Sequence, residues 1–207
     1  LDFIEIRSTR IEQNGFLFVM SKIILDLCGG TGAWSKPYKD AGYDVRIVTL
    51  PENDVTTYIP PENVHGILCA PPCTMFSLAR TTAKTPRDFD SALIPVRACL
   101  EIIWLCKPKF WAIENPTGLL RKFLGRPKFS FDASQFGADY NKSTDLWGFF
   151  NEPTRAKYTR FDSTDKNTRK LPEIPDDYIR DTKMTTVAIK RSITPLGFAQ
   201  AFFKANP

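Results

Sequence analysis

Three short apolar runs in this chain each stop abruptly at a turn, and that pattern limits the fold more than any other feature. Ile23-Ile24-Leu25-Asp26-Leu27 runs into Cys28-Gly29-Gly30-Thr31-Gly32. Gly66-Ile67-Leu68-Cys69 runs into Ala70-Pro71-Pro72-Cys73-Thr74, and Phe110-Trp111-Ala112-Ile113 runs into Glu114-Asn115-Pro116. Near-continuous apolar runs of this length read as strands covered on both faces, the mark of a parallel sheet between helical layers. The two prolines before Cys73 largely fix φ, so the thiol begins a turn at a strand end. A glycine loop, a thiol and a carboxyl group, all at strand ends, are what a group-transfer enzyme on a parallel sheet requires.

The rest of the chain alternates accordingly. Strands are expected at 22–27, 43–50, 66–69 and 110–113, with a weaker one at 143–150. Helices are expected at 33–41, stopped by Gly42, and at 88–107, on the spacing of Leu93, Val96, Leu100, Ile103 and Leu105. Pro95 must fall in the first turn of that helix or kink it. Residues 51–62 form a loop holding Asp54, and 77–87 a polar loop carrying Arg80, Lys84 and Arg87. A last helix, 196–204, follows Thr194 as its cap and Pro195 at its first position.

A chain of 207 residues is one domain, or one with a small annex, and 43% hydrophobic residues can fill its core. A net charge of +5 tilts the surface toward an anionic partner. Five cysteines, an odd number mostly within or beside apolar runs, indicate reduced thiols in a cytosol-like compartment, so a cytoplasmic, non-secreted protein is expected. Cys69-x-x-x-Cys73 lacks a second ligand pair and the chain has one histidine, so no metal site is expected. No apolar run is long enough to span a bilayer. Residues 1–19 form a leader of uncertain origin without the order of a signal peptide; Asn14-Gly15 within it suits a hairpin.

The individual motifs leave alternatives open. Gly30-x-Gly32 is too short for the dinucleotide fingerprint and suits S-adenosylmethionine (SAM) better than NAD, or it is a plain strand-to-helix turn. Cys73 is a nucleophile or a small buried hydrophobe. A Cys–His hydrolase needs an imidazole, and His65 stands at the wrong end of its strand. Glu114 is a surface acid or the polar end of a buried strand.

Taken together, these motifs resemble those of the DNA cytosine-5 methyltransferases. Asp26-Leu27-Cys28-Gly29-Gly30-Thr31-Gly32 resembles their first motif, with Cys28 where phenylalanine is usual. Asn53-Asp54-Val55 resembles the motif that meets the adenine. Pro71-Pro72-Cys73-Thr74-Met75-Phe76-Ser77 resembles the nucleophile motif, with Thr74 in place of glutamine. Glu114-Asn115-Pro116 resembles the Glu-Asn-Val motif, and Arg191-Ser192-Ile193-Thr194-Pro195-Leu196-Gly197-Phe198-Ala199 the closing helix. The resemblance implies a Rossmann-like SAM-dependent methyltransferase fold of the α/β class, mostly parallel, with helices on both faces. It implies a catalytic SAM-binding domain at 20–150, a reduced target-recognition segment at 151–190 and a C-terminal helical segment, 191–207, packing back on the domain.

What the resemblance implies for the site is specific. Asp26, Cys28, Gly29, Gly30, Thr31, Gly32, Thr49, Leu50, Asp54 and Pro71 would hold SAM. Pro72, Thr74, Phe76, Ser77, Arg80, Asn115 and Pro116 would meet the substrate. Cys73 would add to cytosine C6, and Glu114 would share a proton at N3. Lys142 would stand in for the arginines of the family's Gln-x-Arg-x-Arg motif, over which Phe136-Gly137-Ala138-Asp139-Tyr140-Asn141-Lys142-Ser143-Thr144 lies. The acid that usually ends the second strand and holds the ribose is replaced by Thr49. The expected partner is double-stranded DNA with a flipped-out cytosine, and the expected state is a monomer. Alternatives are a SAM- or nucleic-acid-binding module of the same fold with little catalysis, or an RNA cytosine-5 methyltransferase.

Overall fold

The computed structural model describes residues 21–81, 83–156, 171–176, 178 and 186–207. The leader at 1–19, and residues 157–170, 177 and 179–185 of the expected recognition segment, lie outside the described residues.

Among the described residues, six strands form one sheet in the order β2-β1-β3-β4-β6-β5. β1 (Ile23–Leu27), β2 (Asp44–Val48), β3 (Val64–Cys69) and β4 (Phe110–Pro116) are parallel. β6 (Ser143–Phe149) runs antiparallel between β4 and β5 (Phe129–Asp132). The helices are α1 (Lys36–Asp40), α2 (Phe89–Cys106), α3 (Arg121–Leu124), α4 (Thr186–Ser192) and α5 (Leu196–Ala205), with a 3-10 turn at Ala133–Phe136.

Neighbouring strand residues point to opposite faces, which explains why the parallel strands are apolar throughout. Ile24, Leu68, Phe110 and Ala112 pack with Trp34, Tyr38, Phe198 and Phe202 on the α1 and α5 side. Leu25, Leu27, Ile67 and Ile113 pack with Ala98, Cys99, Ile102 and Ile103 of α2 on the other. Helices therefore cover both faces of a mostly parallel sheet, giving the Rossmann-like α/β architecture expected of the sequence. α5 is fixed by aromatic contacts, Phe198 stacking on Phe131 at 4.2 Å, and by the Tyr38 hydroxyl donating to the Asn206 carbonyl at 2.8 Å. Each fully buried aromatic of this kind contributes roughly 1.5–3 kcal/mol.

Several elements differ from the sequence expectations. α1 is confined to Lys36–Asp40, because the chain from Gly32 to Ser35 is spent in a turn closed by Lys36 N–H to the Gly32 carbonyl (2.9 Å). Pro95 lies past the first turn of α2, leaving the Ser91 carbonyl without its helical donor. β4 runs on to Pro116, since its pairing with β3 ends at Ile113 while that with β6 continues. At α5 the cap position is Pro195, not Thr194, and no side chain caps it. β5, α3 and α4 were not anticipated.

Candidate active site

The glycine loop is built around a buried acid. Asp26, fully buried in β1, accepts a hydrogen bond from the Ser35 hydroxyl at 2.6 Å. Burial pushes its carboxyl up to about 6, partly opposed by the bonds from Ser35, and Oδ1 has no partner. A Cβ at Gly29 would sit inside that carboxyl group, so position 29 admits only glycine. Gly30 and Gly32 take positive φ (55° and 68°), and space above Gly30 is open. The N–H groups of Gly30 and Thr31 find no partner among the described residues, so they are free for a ligand.

Other expected cofactor residues fall differently. Cys28, at φ 56°, turns its thiol onto Cys99, and that contact together with burial drives its pKa far up. Its side chain is thus a core contact, and only its backbone faces the loop. Leu50, after β2, is 62% exposed and offers an apolar surface, while Thr49 accepts from Asn53 N–H through its carbonyl at 2.9 Å. Asp54 Oδ1 accepts from Thr56 N–H (2.9 Å) and hydroxyl (2.8 Å), which hold the carboxyl below its usual range. A cavity of about 680 Å³ is lined by Thr31, Gly32, Phe136, Tyr140, Thr194 and Pro195, among others. Leu50 and Asp54 lie outside it.

Cys73 begins a turn closed by Phe76 and Ser77 N–H, both donating to its carbonyl at 2.9 and 2.8 Å. Phe76 is fully buried with Val96, Leu120 and Trp147, so its ring anchors the turn from within the core. Pro72 and Thr74 are exposed, and Ser77 bridges to Gly118. Arg80 is bound within its own loop. Its guanidinium donates to the Thr85 carbonyl (2.9 Å), the Thr85 hydroxyl (2.7 Å) and the Pro86 carbonyl, stapling its own loop. Arg87 holds the Met75 and Ser77 carbonyls in the same way.

Glu114 comes to Cys73 from the neighbouring strand, and Lys142 from the segment entering β6. Lys142 Nζ lies 3.3 Å from Glu114 Oε1, both side chains nearly buried. Burial, then the Glu114 charge, raise the Cys73 pKa, and Lys142 acts in the opposite direction. Asn115, the next residue, donates to the Pro71 carbonyl at 2.9 Å, and Pro116 pairs with Thr144. His65, in contrast, stands four residues before the end of β3, about 13 Å from it at strand rise, and its Nε2 lies 2.9 Å from the Pro207 carbonyl.

Sequence reasoning missed the support behind this site. Asp145, buried beside Asn115, accepts from Arg121 (2.6 Å to each oxygen), Ser130 (2.8 Å) and Thr117 (3.0 Å). Tyr140 and Ser35 were also not singled out. Only pairing of β6 with β4 and β5 brings the Asp145 set together.

Among the described residues no group of His, Cys, Asp or Glu side chains is placed to hold a metal, and no helix is long and apolar enough to cross a membrane. No family model and no curated protein matches the chain. Among solved structures, one similar chain, from E. coli, is provisionally named a DNA modification methyltransferase encoded within a prophage. The match has 18% identity and a TM-score of 0.46, and covers 62% of this chain and 47% of that one.

Proposed function

We propose that this chain is a short SAM-dependent methyltransferase acting on C5 of cytosine in DNA. The observation that carries the reading is the convergence of Cys73, Glu114 and Lys142, supplied by three separate segments, on one nearly buried site. A thiol, an acid and a cation at one point suit addition to a pyrimidine ring better than they suit a structural turn.

The residues present fit the cofactor. Free N–H groups of Gly30 and Thr31 suit its carboxylate, the cavity beside Thr31 and Thr194 suits its amino-acid end, and exposed Leu50 with Asp54 suits its adenine. When bound, SAM supplies the electrophilic methyl group that C5 takes.

The protein's own groups do the rest. Cytosine C5 is a weak nucleophile until a nucleophile has added covalently at C6. The Cys73 thiolate forms the S–C6 bond as Glu114 shares a proton at N3, drawing charge out of the ring. Lys142 balances the Glu114 charge and favours the thiolate. Once C5 carries the methyl group, its proton passes to water, the C5–H electron pair re-forms the C5–C6 double bond, the C6–S bond breaks to free the Cys73 thiolate, and the proton at N3 returns to Glu114. The ring faces of a stacked base are closed to sulfur, so the base must leave the duplex. Transfer of label from methyl-labelled SAM to cytosine in duplex DNA, lost in Cys73→Ser, tests this reading; transfer at full rate by that variant contradicts it.

A further inference from the structure

We propose that Lys122, Phe123 and Arg126 form the surface on which this chain holds the nucleic-acid strand flanking its target base; the proposal rests on the reading above and assigns the contact surface.

The segment leaving β4 is clamped between the two halves of the candidate site. Leu119 N–H donates to the Phe76 carbonyl at 2.8 Å, and Thr117 N–H to the Ser143 carbonyl, next to Lys142, at 2.9 Å. Gly118 passes so close to the Phe76 carbonyl that a Cβ there would overlap it. Lys122 follows one turn later, its N–H bonded to the Leu119 carbonyl. The cations on this segment are therefore held at a fixed distance from the nucleophile turn.

The charge is one-sided. From Asn115 to Phe131 the sequence has no acid, yet it holds Arg121, Lys122, Arg126 and Lys128. Two of these are committed elsewhere, Arg121 to Asp145 and Lys128 to the Phe150 carbonyl. The side chains of Lys122 and Arg126 are exposed and make no ion pair or hydrogen bond among the described residues. Phe123 between them is 43% exposed, although it packs against Phe76 (5.9 Å) and Phe89 (5.2 Å). An aromatic ring fixed from behind, open in front and flanked by two free cations matches a base with its neighbouring phosphates. Arg80 and Arg87, bound to their own loop, leave this role to α3 and the residue two beyond it.

The test is equilibrium binding of a fluorescent cytosine-containing duplex across a salt series. Lys122→Gln/Arg126→Gln should weaken binding and make the log–log salt slope shallower by about 1.8, or 0.9 per lost phosphate contact. Phe123→Leu, which keeps the buried side of the ring filled, should weaken binding with the slope unchanged. Lys107→Gln/Lys109→Gln, at the opposite end of β4, should match wild type. An unchanged slope in the Lys122/Arg126 variant, with wild type binding normally, overturns the proposal alone. Absence of any salt-dependent binding by wild type overturns the DNA reading with it.

Discussion

The side chain of Asn115 donates through Nδ2 to the carbonyl oxygen of Pro71 at 2.9 Å, with both residues buried. Asn115 follows Glu114 and Pro71 lies two residues before Cys73, so one hydrogen bond sets the acid relative to the nucleophile. Main-chain pairing cannot do this, because the β3–β4 ladder ends at Cys69 and Ile113.

Asn115→Ala should therefore cost about 1–3 kcal/mol, the penalty of a buried carbonyl left without its donor. Activity should fall on the order of a hundredfold as the turn shifts. Urea unfolding checks the stability loss, and methyl transfer from labelled SAM checks the rate.

The Cys73 thiol should titrate according to its two neighbours. Burial and the Glu114 charge raise its pKa, so alkylation by iodoacetamide, followed on the Cys73 peptide by mass spectrometry, should speed up with pH into the alkaline range. Glu114→Gln removes a raising charge and should move the curve to lower pH. Lys142→Met removes the opposing charge and should move it to higher pH.

Asp26 should be a stability cost at neutral pH. Its folded value of about 6 lies above the ordinary 3.8, so the penalty is absent below the lower value, grows between the two and is complete above the higher one. At pH 7–8 it reaches about 3 kcal/mol, and Asp26→Asn, which can still accept from Ser35, should be more stable by up to that amount. Urea unfolding at pH 7.5 and at a pH below the unfolded value checks this, because the difference should vanish at the acid end.

Asp145 should behave oppositely. Burial raises its pKa, but Arg121, Ser130 and Thr117 together outweigh that and hold it below the ordinary value. The stability it contributes is present above the unfolded pKa and is lost as pH falls through the folded one. Arg121→Ala should cost about 1–3 kcal/mol at pH 7, moderated because the guanidinium is half exposed, and should shift acid unfolding to higher pH.

The sheet was legible because its parallel strands are buried on both sides and so read as unbroken apolar runs. β4 was read short, since Glu114 and Asn115 look like a strand end until antiparallel β6 covers them. β5 was invisible: four residues, Phe129-Ser130-Phe131-Asp132, carry too little pattern, and their partner comes later in the chain. Arg80 and Phe76 show why the site was only partly legible. A sequence displays a charge or a ring, but not the carbonyls that fold back onto the first or the core that closes over the second. Lys142 was placed by motif position, while its contact with Glu114 depends on the reversal that sets β6 beside β4.

Covalent capture of the nucleophile tests the Cys73 chemistry most directly. Incubation of the protein with SAM and duplex DNA carrying 5-fluorocytosine should give a stable protein–DNA adduct, because fluorine cannot leave C5 as a proton does. Peptide mapping should place that adduct on Cys73, and Cys73→Ser should form none. No adduct with the wild-type protein, or one mapped to Cys28, Cys69, Cys99 or Cys106, would contradict the account.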